Sequence, residues 1–204
     1  MIISLTGFMG CGKSSVGRKL SQLLCCPFMD LDQVIEEREG RSIPEIFASE
    51  GEEAFRAMEL DALKEIVVAS EPRQCVTHAS SPENMHKHSI GKLLHVIARS
   101  ETTWQSVDMV LALGGGAVMT AECAEIVHSD TLCIYLKASV ETLMEHLSGQ
   151  TDGRPMLGDS DLRTRIEELM ALRSETYEKT AHIVIDTDGK SIEAVASEII
   201  SKLA

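Results

Sequence analysis

The stretch Gly7-Phe8-Met9-Gly10-Cys11-Gly12-Lys13-Ser14 decides how the rest of the chain is read. It fits the spacing G-x-x-x-x-G-K-[ST]. An apolar, β-branched run, Ile2–Leu5, precedes it and reads as a strand, and a helical pattern over Lys13–Leu24 begins where it ends. This strand–loop–helix setting separates a phosphate cradle from a chance glycine-rich turn. The glycines let successive backbone N–H groups point inward, and the helix N-terminus adds partial positive charge. Gly10, Cys11, Gly12, Lys13, Ser14 and Ser15 form the cradle. Lys13 reaches the β- and γ-phosphate oxygens, and the Ser14 hydroxyl is placed to ligate Mg²⁺. A nucleoside triphosphate site is expected.

Outward from the loop, short apolar runs alternate with longer helical patterns. Pro27–Asp30, Asp108–Leu113, Leu132–Leu136 and His182–Asp186 read as further strands. Helical patterns cover Leu31–Glu39, Ile43–Glu50, Gly51–Ala69, Ala121–Val127, Val140–Leu147, Arg163–Glu178 and Ser191–Leu203. Five strands separated by helices imply an α/β fold of three layers, a parallel sheet covered on both faces. The 204 residues suit one domain, 1–204, without internal repeats. One stretch breaks the rhythm: the 38 residues Ser70–Val107, rich in His, Ser and Pro, exceed what a helix-to-strand connection needs. They read as an insertion before the third strand, with a helical pattern over Asn84–Ser100. His86-x-His88 lies within it and reads as loop histidines, since no cysteine accompanies it.

Lys and Arg total 19 against 32 Asp and Glu, a net charge of −13. A field of that sign repels phosphate backbones, and only 3% aromatics leaves little for base stacking, so no nucleic-acid partner is expected. Anion binding must then rest on a small local set of Arg, Lys and backbone N–H groups. The six cysteines form no C-x-x-C pair and read as small buried hydrophobes of a reducing compartment. The motif is under way at Gly7, and no apolar run approaches a membrane span, so a cytoplasmic protein with no membrane partner is expected.

The third strand runs into Gly114-Gly115-Gly116 with no acid at its end, unlike the apolar-run-plus-Asp of motors and ATPases. The Asn-Lys-x-Asp of GTPases is absent, and the D-x-x-G at Asp186–Gly189 comes too late to act as a switch. The acids sit instead at Asp30-Leu31-Asp32, past the second strand, where strand alternation would send both in one direction at the carboxyl edge of the sheet. Three arginines stand out. Arg56 lies in Phe55-Arg56-Ala57-Met58-Glu59, and Arg154 in Gly153-Arg154-Pro155-Met156-Leu157, inside a segment (148–162) with the look of a lid. Arg173 lies in Arg173-Ser174-Glu175-Thr176-Tyr177.

Phosphate loop, Asp-x-Asp, Phe-Arg-x-x-Glu, Gly-Gly-Gly, Arg-Pro-x-Leu and Arg-x-x-x-Tyr, in that order, resemble the shikimate kinase family over nearly the whole chain apart from the insertion. The resemblance implies a P-loop kinase fold with sheet order 2-3-1-4-5 and phosphorylation of the shikimate 3-hydroxyl by ATP with Mg²⁺. It implies that Arg56 and Arg173 hold the substrate carboxylate, as a guanidinium fork can do bidentately. Asp32 would accept from the ring hydroxyls and serve as base. Asp30 would support Mg²⁺ beside Ser14. Gly114, Gly115 and Gly116 would bring backbone N–H groups close to the substrate. Arg154 would close over the phosphates and, with Lys13, offset charge on the transferring group.

The family often carries an Arg a few residues before Arg-Pro-x-Leu, against adenine; here Met144-Glu145-His146-Leu147-Ser148-Gly149 has none. His146 either stands in for it or is an exposed helical residue, and Lys190 with the Thr187-Asp188 turn would then face the base. Two other readings stand beside this one: a kinase of another small hydroxy acid, gluconate-type, or a kinase-like binding module without turnover. A monomer is expected.

Overall fold

A computed structural model describes residues 1–70, 107–148 and 162–203. The insertion beyond its flanks Ser70 and Val107, Cys75, His86, His88 and the Arg154 segment lie outside the described residues.

Strands β1 (Ile2–Thr6), β2 (Phe28–Asp30), β3 (Met109–Ala112), β4 (Thr131–Lys137) and β5 (Ile183–Asp186) form one sheet in the order β2-β3-β1-β4-β5. All neighbours run parallel. The connecting helices are α1 (Lys13–Leu24), α2 (Leu31–Glu39), α3 (Ile43–Ser70), α4 (Ala121–Asp130), α5 (Val140–Leu147), α6 (Leu162–Thr180) and α7 (Ile192–Leu203), with a 3₁₀ turn at Ala117–Met119. The two helical patterns read across Ile43–Ala69 join at Gly51, whose φ of 84° and ψ of −179° kink α3 where a side chain would be strained.

Period-two alternation divides the core into two layers. Met109, Leu111, Leu113, Cys133 and Tyr135 point to one face, against Leu31 and Ile35 of α2, Phe55 and Leu63 of α3, and Val127 of α4. Ile3, Leu5, Val110, Ile134, Leu136 and Ile185 point to the other, against Val16 and Leu20 of α1, Leu143 and Leu147 of α5, and Val195 and Ile199 of α7. Helix α6 serves both, through Tyr177 and Ile166. β1 is buried at all five positions, as the middle strand of a doubly covered sheet must be. Its two polar members are small; Ser4 Oγ lies 2.6 Å from Thr131 Oγ1, which in turn donates to the Val127 carbonyl at 2.6 Å.

Of the five described cysteines, all free thiols, Cys11, Cys123 and Cys133 are buried as expected. Cys25 departs from that expectation: it ends α1 in a left-handed conformation (φ 51°) and is exposed. No helix among the described residues is long and apolar enough to cross a membrane.

Because the strands are parallel, the loop after β1, the acid ending β2 and the triple glycine after β3 all emerge at the same, carboxyl edge. The site residues expected from the sequence on these three segments thus emerge on one edge.

Candidate active site

The phosphate loop turns tightly between β1 and α1. Lys13 Nζ folds back across it and donates to the carbonyls of Gly7 (2.9 Å) and Phe8 (3.1 Å). The Cys11 thiol is buried inside the loop, and burial pushes its pKa up, which keeps it a neutral packing group. Ser14 Oγ donates to Asp30 Oδ2 at 2.6 Å.

Asp30 and Asp32 meet by a different route from strand alternation. Asp30 is both the end of β2 and the N-cap of α2, and its Oδ1 accepts from the Asp32 N–H at 3.2 Å. Asp32 therefore sits on the first helical turn. Its Oδ1 is buried with no protein hydrogen-bond partner. Burial, and secondarily the Asp30 charge, push its pKa up to about 6, against the pull of Lys13 and Arg56.

A second acid, Glu59, reaches the same point from α3. It is fully buried; burial raises its carboxyl to about 7, opposed chiefly by Arg56. Its Oε2 pairs with Arg56 Nη1, while Oε1 has no partner. Arg56 Nη2 also pairs with Glu52 Oε1 at 3.0 Å. Burial disfavours the Arg56 charge, yet these two carboxylates outweigh it and raise its pKa.

The triple glycine is held on three sides. A Cβ on Gly114 would lie 2.6 Å from Asp32 Oδ1 and 2.5 Å from Glu59 Oε1, so both unpartnered oxygens converge on that spot. The Gly115 carbonyl accepts from Arg173 Nη1 at 3.3 Å and from the Tyr177 hydroxyl, both on α6. A Cβ on Gly116 would lie 2.6 Å from Arg56 Nη1. Arg173 itself is only 6% exposed.

One cavity of about 1080 Å³ joins these parts, lined by Gly10, Cys11, Gly12, Lys13, Ser14 and Ser15 of the loop and by Asp30, Asp32, Arg56, Glu59, Gly114, Gly115, Gly116 and Arg173. Pockets for one small molecule run about 300–1,000 Å³, so there is room for two substrates side by side. Ile43, Phe47 and Phe55 give it an apolar wall. Lys190 and Thr187 also line it, but Lys190 Nζ is tied to the Asp186 carbonyl (2.8 Å) and to Glu198 Oε2 (2.7 Å). His146 lines it too, with Nδ1 2.8 Å from the Gly10 carbonyl.

Every site residue expected from the sequence and lying among the described residues thus borders one space. Glu59 and Tyr177 were missed as site residues. Spacing could have found them: Glu59 follows Arg56 by three and Tyr177 follows Arg173 by four, so each shares a helix face with its arginine.

A parallel sheet in this order, with a lysine-bearing phosphate loop after its central strand and two arginines and two acids facing it, defines a P-loop small-molecule kinase. The family model described as shikimate kinase matches residues 9–89 and 93–204. A shikimate kinase from Thermus thermophilus is 37% identical over 201 residues, covering 98% of this chain and 89% of that protein. One from Symbiobacterium thermophilum is 34% identical over 204 residues, 100% of this chain and 96% of that protein. Among solved structures, the shikimate kinase from Acinetobacter baumannii in complex with shikimate superposes with a TM-score of 0.77 at 28% identity, covering 99% of this chain and 92% of that one. The chain belongs to the shikimate kinase family, and its activity is the ATP-dependent phosphorylation of shikimate.

Proposed function

We propose that ATP lies along the phosphate loop, with its phosphates toward Lys13, and that shikimate lies between Arg56, Arg173 and the triple glycine, with its reacting hydroxyl against Asp32. The observation that carries this reading is the one cavity bordered at once by the phosphate loop, Asp32 and both arginines. A nearly buried Arg173 and a clamped Arg56 suit a carboxylate, since preorganised guanidinium forks bind one without first being ordered. The unpartnered Asp32 Oδ1 is an acceptor held ready for a hydroxyl proton. As the hydroxyl oxygen attacks the γ-phosphorus, Asp32 accepts its proton, and the bond to the β–γ bridging oxygen breaks to release ADP. Gly114, Gly115 and Gly116 leave space beside the acids that a side chain would fill.

Ser14 and Asp30 fit a Mg²⁺ site in donor chemistry: a hydroxyl and a carboxylate, hard oxygens 2.6 Å apart beside the loop. These two would hold the ion, which when bound neutralises charge on the phosphates. Arg154, outside the described residues, completes the proposal as a second cation on the transferring group, and Lys190 borders the nucleoside end. The same reading takes the enzyme as a cytoplasmic monomer with shikimate and ATP as its partners; the net charge of −13 supports the lack of a nucleic-acid partner.

The test is ADP release measured against a panel of small hydroxy acids, with Arg173→Ala beside the parent chain. Truncating one partner of a buried charge pair costs about 2–5 kcal/mol, so KM for shikimate should rise by at least an order of magnitude while KM for ATP holds. An unchanged shikimate KM rules out the assignment of Arg173.

A further inference from the structure

The phosphate loop is gripped from outside by the end of α5, through two consecutive residues. His146 Nδ1 lies 2.8 Å from the Gly10 carbonyl oxygen; the acceptor is a carbonyl, so the imidazole carries its proton on Nδ1 and donates. Leu147, fully buried, packs under the same residue: a Cβ on Gly10 would meet its Cδ2 at 2.9 Å. Gly10 has φ +83°, a conformation other residues rarely hold, and the next N–H, that of Cys11, donates to the Phe8 carbonyl at 3.2 Å. The Gly10–Cys11 peptide is therefore fixed at both edges, by His146 through its oxygen and by Phe8 through its nitrogen. Gly10, Cys11 and His146 border the cavity.

We propose that His146 is a positioning residue for the nucleotide: its Nδ1–H holds the tip of the phosphate loop in shape before ATP arrives. The proposal rests on the reading that the loop binds the ATP phosphates. A cradle of backbone N–H groups binds well when its peptides need no ordering, and a peptide next to a left-handed glycine is the one with most freedom to flip. Leu147 supplies packing but no direction; the imidazole supplies the direction. The ordering cost would fall on nucleotide binding and not on the shikimate side, which is built on α3, α6 and the triple glycine.

The experiment compares His146→Ala, His146→Asn, His146→Gln and His146→Phe by KM for ATP, equilibrium binding of ADP, KM for shikimate, kcat and Tm. A net hydrogen bond corresponds to about a 2- to 12-fold change in affinity. His146→Ala should weaken ATP and ADP by that factor, with kcat and shikimate KM within about two-fold, since a uniform-binding term appears in KM. Asn places a donor where Nδ1 stands and should restore nucleotide affinity; Gln, whose amide sits one carbon further out, should not. Parent-like ATP and ADP affinity in His146→Ala overturns the proposal. So does recovery by Phe instead of Asn, which would mean that the ring packs on the nucleotide, or a loss shared equally by shikimate. Lys13→Ala, measured alongside, separates the two readings. If it leaves ADP binding intact, the loop is not the nucleotide site; if it abolishes binding while His146→Ala changes nothing, only the role of His146 falls.

Discussion

Replacing Gly116 by alanine adds one methyl group where the structure leaves none to spare. Gly116 has φ −121° and ψ −1°, which alanine can adopt, so the backbone is not the obstacle. The obstacle is Arg56: the new Cβ would lie 2.6 Å from Nη1 and closer still to Nη2. A free arginine would swing aside at little cost. This one is tethered by Glu59 Oε2 on one nitrogen and Glu52 Oε1 on the other, so it must break a pair to move. The guanidinium then leaves the position from which it would meet a carboxylate. Losing one charge-assisted hydrogen bond of about 1.5–3 kcal/mol predicts a rise in shikimate KM of about 10- to 150-fold. ATP KM should hold, and Tm should change little, because the displaced charge can reach water. Initial rates varying each substrate at saturating levels of the other, with a thermal melt, read all three. The cycle with Arg56→Ala sharpens the test, since without the guanidinium the added methyl should have no further effect on shikimate KM. A Gly116→Ala enzyme with parent-like shikimate KM, or an effect that persists undiminished in the Arg56→Ala background, would refute the reasoning.

Asp32→Asn keeps the shape but removes the proton acceptor, and should lower kcat by about 10²–10⁴-fold with ADP affinity retained; near-parent kcat would show that positioning alone suffices. His182 accepts the Cys133 N–H on Nδ1 at 3.1 Å and stacks on His128 of α4 at 4.6 Å, the titratable group facing it, and burial together with that neighbour lowers its pKa below 6.5. The unfolded chain then binds the proton more readily, so stability should decline slightly on acidification from pH 6.5 through the lowered folded pKa, by less than a full hydrogen bond because solvent screens this exposed ring. In His182→Asn, which keeps an acceptor but cannot titrate, denaturant midpoints should be flatter with pH; an equally steep profile would assign the slope to other groups. Exchanging residues 71–106 for a short Gly/Ser linker should leave kcat within a few-fold, because Val107 leads into β3 at the sheet's amino edge, where the Asp108 N–H donates to the Met1 carbonyl at 2.9 Å. A folded, inactive linker variant would place the segment in the machinery.

Much of this architecture is legible in the sequence because local signals agree with one another. The strand before Gly7 and the helix after Lys13 are local patterns, and alternation along Met109–Leu113 and Cys133–Leu136 matches the two core layers residue by residue. What periodicity does not give is the contact between elements. Strand alternation reads Asp30 and Asp32 onto one side, whereas a cap joins them, because the helix begins at Leu31 and Asp32 already lies on its first turn. Glu59 sits in a motif, and its i,i+3 spacing pairs it with Arg56, but its burial against the triple glycine is a contact between elements that no spacing gives. His146 reads as a residue facing adenine, and its bond to Gly10 spans 136 positions of sequence that no spacing rule connects. Lys190 reads as a residue facing the base, and the structure ties it to Glu198.

The placement of the unsatisfied polar atoms carries the synthesis one step further. Proteins leave few buried polar groups without a partner. Among the described residues four side-chain atoms are in that state: Thr6 Oγ1, Asp32 Oδ1, Glu59 Oε1 and the Tyr135 hydroxyl. They are not scattered. Thr6 ends β1 directly opposite Tyr135 of β4, and the Tyr135 ring lies 5.2 Å from that of Tyr177, whose hydroxyl holds Gly115. Asp32 and Glu59 converge beside Gly114. All four therefore lie toward the carboxyl edge, on or beneath the turn that would receive the substrate. The amino edge shows the opposite habit: Ser4, Thr131 and Val127 form a closed chain of hydrogen bonds, and His182 and Cys133 exchange two. A carboxylate oxygen is an acceptor only, so a hydroxylated ligand that donates to it supplies the partner the protein does not. The two unpartnered carboxylate oxygens thus lie where, in the proposed arrangement, the substrate hydroxyls would donate to them.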